Sequence, residues 1–418
     1  MLRLAENLAQ FTGGVIDRGS GVRLHLEDGT ELLDFAAGIA VTSTGHSHPH
    51  VVQAIQDQVA KILLPASSLG LNRPTLDFLE RFGPYLPEGI DRMWFGNIGA
   101  EAVETAVRLA RQATGRPNII AFEGGFHGRT MGAASLTSST AKVRAGISPL
   151  MAGVVFAPYP APARLRSVQG DATDHALEQL DRILATISIP QDTAAFLVEA
   201  IQGEGGYVPG TKRFFDGLRE RADAHGILLI FDEIQAGWGR TGRFWAFEHF
   251  DARPDMIVMG KGMASGLPIS ALAASKELMD KAWAGSMGGT FSGHVVTAAA
   301  ALATLDVYEQ EELVDNAAVQ GQRLIDGLRA VSEGVAEVHE VRGLGLMVGV
   351  ELRHADGSVG TALAARVQKE AYARGLLILT CGIDRDTMRI VPPLVVEAED
   401  VDRAVQIFGE ALHAAVAG

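Results

Sequence analysis

Five short apolar runs, at 118–122, 153–156, 194–198, 227–231 and 256–259, alternate with longer stretches of helical spacing. A strand buried on one face alternates apolar and polar residues, whereas a strand buried on both faces reads as a continuous apolar run. Runs of the second kind, separated by helices, fit an α/β architecture with a mostly parallel sheet covered on both sides. The spacing predicts helices over 51–62 and over 100–113, where Ala102, Val103, Ala106, Val107 and Ala110 recur at helical intervals. At 418 residues the chain exceeds one simple core, so two lobes are expected.

The remaining segments read differently. Val22, Leu24 and Leu26 alternate with polar residues, Glu27-Asp28-Gly29 makes a turn, and 31–35 returns, which predicts a hairpin. A helical stretch is expected over about 297–331, then strands around 338–352, 376–380 and 388–391, and a closing amphipathic helix over 398–416. The expected division is therefore 1–48 and 331–418 as a small α+β domain built from both termini, 49–295 as a large domain, and 296–330 as a long connecting helix.

Composition narrows the partners. A net charge of −14 with no basic run argues against nucleic acid. The single cysteine, Cys381, allows no internal disulfide and suits a reducing compartment. The first residues lack the apolar core of a signal peptide, and the most apolar long stretch, 295–305, is too short and too rich in threonine for a membrane span. A cytoplasmic protein with no membrane partner is expected.

The chemistry lies where runs end. The run 227–231 is followed by Asp232-Glu233-Ile234-Gln235, and the run 256–259 by Gly260 and Lys261. Two adjacent strands would deliver a carboxylate and an amine to one sheet edge. Pyridoxal phosphate requires such a pair: the lysine binds the aldehyde as an imine, and the carboxylate keeps the pyridine nitrogen protonated so that the ring accepts electrons. Either residue alone reads better as a surface lysine or a helix-capping aspartate. Three further motifs bear on the choice. Gly99 and Ala100 open the helix over 100–113, where free backbone N–H groups make an anion site. Phe126, His127 and Arg129 sit in the loop after 118–122, offering an aromatic face and a bidentate cation. Glu199 and Glu204 lie among glycines after 194–198. His46, His48 and His50 have no cysteine or carboxylate cluster in the same segment, so no metal is expected. Gly343 and Gly345 read as a tight turn and Cys381 as a packed side chain.

In this order, Gly38-Ile39-Ala40-Val41, Thr44-Gly45-His46-Ser47-His48-Pro49, Gly99-Ala100-Glu101-Ala102, Phe126-His127-Gly128-Arg129-Thr130, Gln202-Gly203-Glu204-Gly205-Gly206, Asp232-Glu233-Ile234-Gln235, Gly239-Arg240-Thr241-Gly242 and Gly289-Thr290-Phe291 resemble the class III, ω-amino-acid branch of pyridoxal-phosphate aminotransferases. The resemblance spans about 22–393 and is nearest to the 4-aminobutyrate aminotransferases. It implies a fold type I transferase whose large domain, 49–295, binds pyridoxal 5'-phosphate. It implies that Lys261 carries the cofactor and that Asp232 pairs with the ring nitrogen. Gln235 would contact the phenolic oxygen, and Ile234 and Phe126 would flank the ring. Gly99 and Ala100 would hold the phosphate through backbone N–H groups. Thr290 would reach the cofactor of a partner subunit, in a homodimer or a dimer of dimers. Ile39, Arg129, Glu204 and Arg389 would line the substrate site. The implied reaction moves the nitrogen of an ω-amino acid, 4-aminobutyrate foremost, to 2-oxoglutarate through pyridoxamine phosphate. Acetylornithine or ornithine transamination and amino-acid racemisation are the alternatives on the same scaffold.

Overall fold

The computed structural model describes residues 4–5, 7–8, 10–161 and 170–417. Its largest sheet has seven strands, side by side in the order Arg92–Gly96, Ser270–Ala274, Met256–Met259, Leu228–Asp232, Thr193–Val198, Asn118–Phe122 and Val154–Ala157. Only Ser270–Ala274 runs against the others. Thr193–Val198, Met256–Met259 and Ser270–Ala274 are buried at every position, which is why their sequences show no polar alternation. The five expected runs are all strands of this sheet. Arg92–Gly96 and the alanine-rich Ser270–Ala274 were not expected, because neither carries a distinctive apolar run.

One helix, Gly99–Thr114, crosses the sheet with Ala102, Val103, Ala106, Leu109 and Ala110 fully buried, and stops at Gly115 in a left-handed conformation. Its small side chains let it lie close to the strands. The carboxyl ends of the parallel strands share one edge, so the loops beginning at Asn97, Glu123, Glu199, Glu233 and Gly260 converge there. Crevices at this edge are where open α/β sheets bind ligands.

Two smaller sheets flank this body. One joins Ile16–Ser20, Arg23–Leu26 and Glu31–Asp34, antiparallel, to Leu376–Leu377, which lies parallel to Glu31–Asp34. The other orders Val338–Leu344, Met347–Leu352, Thr387–Ile390 and Leu379–Cys381, all antiparallel. The hairpin expected over 22–35 is present, with Leu26 N–H donating to Thr30 O at 2.9 Å, and a strand precedes it. Helix Ala398–Ala417 closes the chain.

The connecting segment expected as one helix over 296–330 is instead two, Val295–Gln310 and Leu313–Val331. Glu312 stands in the left-handed region at φ 49° and turns the chain between them.

Candidate active site

Asp232 ends its strand and faces the shared edge with 4% of its surface exposed. One of its oxygens accepts from Ile234 N–H at 3.1 Å and the other from His127 Nδ1 at 2.7 Å. His127 is itself buried. Burial alone would push the imidazole down, but the Asp232 hydrogen bond and charge, with Glu199 behind them, outweigh it and raise its pKa. Glu199 Oε1 accepts from Phe126 N–H and Oε2 from Gly203 N–H, each at 2.8 Å. Burial raises Glu199 to about 7, opposed by the His127 charge and reinforced by Asp232. One buried carboxyl thus ties the loop bearing Phe126 to the loop bearing Glu204.

Gly99 N–H and Ala100 N–H begin their helix after Ile98, whose side chain gives no cap. A Cβ at Gly99 would come 2.8 Å from Ile234 Cδ1, so glycine is what lets Ile234 lie against the helix start. A Cβ at Gly128 would meet Ala100 Cβ at 2.7 Å, and Gly128 has φ 128°, so that loop also approaches the turn only as glycine. Glu104 on the same helix accepts from Thr130 Oγ1, Gly132 N–H and Ala133 N–H, fixing the loop that carries Arg129. Gln235 Oε1 accepts from the buried Tyr207 hydroxyl at 3.1 Å.

Lys261 lies two residues beyond its strand, in a single helical turn, Lys261–Ala264, with φ 45°. Left-handed backbone at a non-glycine residue is strained by about 1–2 kcal/mol and clusters at functional sites. Burial pushes its amine down to about 8, against the pull of Glu204 and Asp232 and with the push of Arg389. The same charges that define the pocket therefore meet at this nitrogen.

At the other end, Arg389 is 2% exposed in the strand Thr387–Ile390 and donates from Nη1 to Glu204 Oε1. Burial would raise Glu204, but the charges of Arg389, Lys261 and Arg385 outweigh it and lower its pKa. Ile39 is 38% exposed in a turn where Ala37, Gly38, Ile39 and Ala40 all have positive φ. Asp34 holds this left-handed turn, accepting from Ala36 N–H and Ala37 N–H at 2.9 Å, while His46 Nε2 donates to its other oxygen at 2.7 Å. Arg129 is exposed, its guanidinium carbon 5.9 Å from the centre of the Phe126 ring. Thr290 is exposed in the segment before helix Val295–Gln310, and among the described residues no hydrogen bond ties it to the Asp232 cluster.

Asp232, Ile234, Gln235, Lys261, Gly99, Ala100, Phe126, Glu204 and Arg389 thus converge, whereas Arg129, Ile39 and Thr290 stand at exposed positions. His48 and His50 pair separately with Glu311 at 2.9 Å and Asp306 at 3.1 Å. Among the described residues no three His, Cys, Asp or Glu side chains gather as metal ligands. Sequence reasoning missed the roles of Asp34, His127, Glu199 and Tyr207. For His127 the signal was present, a buried-type residue beside Phe126 directly after a strand. For Tyr207 there was none. The donor set fits pyridoxal phosphate: a buried carboxylate, an amine shifted toward neutrality, and an uncapped helix start between two glycines.

The family model for aminotransferase class-III matches residues 5–412. The 5-aminovalerate aminotransferase DavT of Pseudomonas putida is 38% identical, over 92% of this chain and 89% of the relative. The 4-aminobutyrate aminotransferase GabT of Escherichia coli is 38% identical, over 94% of this chain and 92% of the relative. An amine transaminase from an uncultivated Pseudomonas species superposes with a TM-score of 0.91 at 29% identity, covering 100% of this chain and 99% of that one. Fold, pocket and relatives agree, and the chain belongs to the class III aminotransferases, which depend on pyridoxal phosphate.

Proposed function

We propose that this enzyme moves the nitrogen of a short ω-amino acid to 2-oxoglutarate. 4-Aminobutyrate is the expected donor, and 5-aminovalerate, one carbon longer, is the next in order. The observation that carries this reading is the Glu204–Arg389 ion pair, whose charges also act on Lys261. An ω-amino acid has no carboxylate on its reacting carbon, and 2-oxoglutarate has one. A buried arginine already neutralised by a movable carboxylate suits the first substrate. Released, it suits the second with a bidentate grip. Arg129 would hold the distal carboxylate of both, with Ile39 as an apolar wall.

Pyridoxal phosphate, when bound, supplies an aldehyde carbon that carries the nitrogen and a pyridinium ring that accepts the electron pair of the breaking C–H bond. Lys261 Nζ would hold the cofactor and then, as a free amine near neutrality, take the proton from the substrate carbon and deliver it to the cofactor carbon that carries the nitrogen. Asp232 would face the ring nitrogen and stabilise its positive charge, with His127 orienting the carboxylate. Gln235 would donate to the phenolic oxygen, Phe126 and Ile234 would flank the ring, and Gly99 and Ala100 would donate to the phosphate.

The lobe of residues 49–295 is assigned to cofactor binding, and 1–48 with 331–418 to the small domain that bears Arg389. The active unit is a homodimer in which Thr290 reaches the partner's cofactor. Supporting this, Leu69 and Leu71 are 85% and 82% exposed and Phe291 is 54% exposed, an apolar surface that water alone does not explain. No helix among the described residues is long and apolar enough to cross a membrane, and we place the enzyme in the cytoplasm.

A half-reaction screen tests the assignment. The purified holoenzyme is mixed singly with 4-aminobutyrate, 5-aminovalerate, ornithine, N-acetylornithine and alanine, and loss of the cofactor's visible band is followed. Bleaching by the first two supports the reading. Bleaching only by ornithine or N-acetylornithine, or loss of optical activity without any 2-oxo acid, would overturn it.

A further inference from the structure

The proposed exchange at Arg389 leaves one charge unaccounted for. Arg389 Nη1 is engaged by Glu204 Oε1, and its Nε, buried, has no partner. A substrate carboxylate can grip this guanidinium only if Glu204 leaves. The Glu204 side chain is only 17% exposed, and a carboxylate moved off its partner into such surroundings is costly unless another cation receives it.

The backbone around Glu204 cannot travel with it. Gly382 N–H donates to Glu204 O at 2.9 Å. Arg342 grips Gly206 O from Nε and Nη2 at 3.0 and 2.8 Å, and is held in turn by Glu351 at 2.6 Å. Only the side chain is free to swing. Besides Arg389, two cations act on it, Lys261 and Arg385. Lys261 faces the substrate and is used by the chemistry. Arg385 lies on the outer side, in the turn between Leu379–Cys381 and Thr387–Ile390. Its Nη1 is 4.0 Å from Glu204 Oε2 and 3.1 Å from Thr380 O, and its side chain is 40% exposed. Glu204 thus already presents one oxygen to each arginine, and a rotation of its carboxylate exchanges one for the other.

We propose that Arg385 is the second partner of Glu204, receiving its carboxylate whenever Arg389 binds the α-carboxylate of the acceptor. Arg385 is then a positioning residue for acceptor binding. It sets how readily Arg389 is unmasked and does not touch the substrate. The inference rests on the Glu204–Arg389 reading given above.

Calorimetric titration of the holoenzyme with glutarate tests it, since glutarate carries both carboxylates and cannot react. Single-turnover rates with 4-aminobutyrate and with 2-oxoglutarate complement the titration. Arg385→Ala should weaken glutarate binding by about fivefold, the scale of a partly exposed ion pair. It should also slow the 2-oxoglutarate half-reaction more than the 4-aminobutyrate half-reaction. Arg385→Lys should restore most of the loss. In a Glu204→Gln background, Arg385→Ala should have no further effect, because no carboxylate needs a second partner. A loss of glutarate binding that persists in that background means Arg385 touches the dicarboxylate itself and overturns the proposal. Equal losses in both half-reactions, unrestored by lysine, mean a fold role through the Thr380 carbonyl and also overturn it. Failure of the underlying reading shows separately: Arg389→Ala would then damage both half-reactions alike.

Discussion

The two ends of the pocket are built by opposite strategies. At the cofactor end, Asp232, His127 and Glu199 are all nearly inaccessible, and each is bonded to another strand-end residue or to a backbone N–H. At the substrate end, Arg389 is buried and its partner Glu204 largely so, but Arg385, Arg129 and Ile39 reach solvent. The first end is an arrangement of strands, fixed by the sheet register that sets Asp232 beside Val258, three residues before Lys261. The second is assembled from loops and from a strand of a different sheet. The proposed reaction, with one electron sink and two unlike substrates, would use this asymmetry: a rigid floor for the cofactor and a rim whose charge partners exchange.

Loss of the floor should be the most damaging. Lys261→Ala is expected to lower turnover about 10⁴-fold, the scale of a removed acid–base group. Borohydride reduction of the native holoenzyme should place the cofactor label on the peptide containing Lys261, and a label elsewhere would break the comparison at its root. Asp232→Asn should keep the cofactor and lower turnover about 10²–10³-fold, as for removal of one partner of developing charge. Near-normal steady-state rates would remove Asp232 from the floor.

The rim should respond selectively. Arg389→Ala is expected to slow the 2-oxoglutarate half-reaction roughly 100-fold more than the 4-aminobutyrate half-reaction, since only the acceptor sets a carboxylate against this buried guanidinium. Stopped-flow rates for each half decide this.

Stability sharpens the same contrast. Glu199→Gln replaces one of two acceptors by a donor facing a backbone N–H, costing about 1–3 kcal/mol in denaturant unfolding. Glu199 holds its proton more tightly folded, at about 7, than unfolded, at 4.5. Its stabilising contribution is therefore complete below about 4.5 and lost as pH rises through 7, and the variant should flatten the stability profile across that window. His46→Ala at the rim should cost about 1 kcal/mol. Its larger signature should be a changed preference between 4-aminobutyrate and 5-aminovalerate, because the Asp34 clamp on the turn carrying Ile39 is loosened.

The same asymmetry governs how much of the molecule was legible from its residues. The floor is local in sequence: Asp232 directly follows an apolar run, Lys261 follows another by two residues, and both runs are strands. The strand Ser270–Ala274 was hidden because serine, leucine and three alanines carry no strand signature. Its membership comes from burial between two neighbours. The break at Glu312 was hidden because helical periodicity continues on both sides of it. The left-handed turn at Ala37–Ala40 was hidden for a different reason. Three of its four residues disfavour that conformation, and the hydrogen bonds that impose it come from Asp34, itself held by His46. Glu199 and His127 are joined only by the fold, with their strands separated in the sequence and adjacent in the sheet.

The parallel pairing of Glu31–Asp34 with Leu376–Leu377 also dictates a timetable. Leu33 N–H donates to Gly375 O, Phe35 N–H to Leu377 O, and Val391 N–H to Phe35 O, at 2.7–2.9 Å. During synthesis at about 5–20 residues per second, the early hairpin waits tens of seconds for the residues that complete its sheet. Until then it presents an unpaired strand edge to the crowded cell, and loop closure over so long a span makes its docking slow. The cofactor floor, whose strands fall between 92 and 274, can assemble before that edge is covered. The rim, with Arg389 beside the same late strands, is finished last.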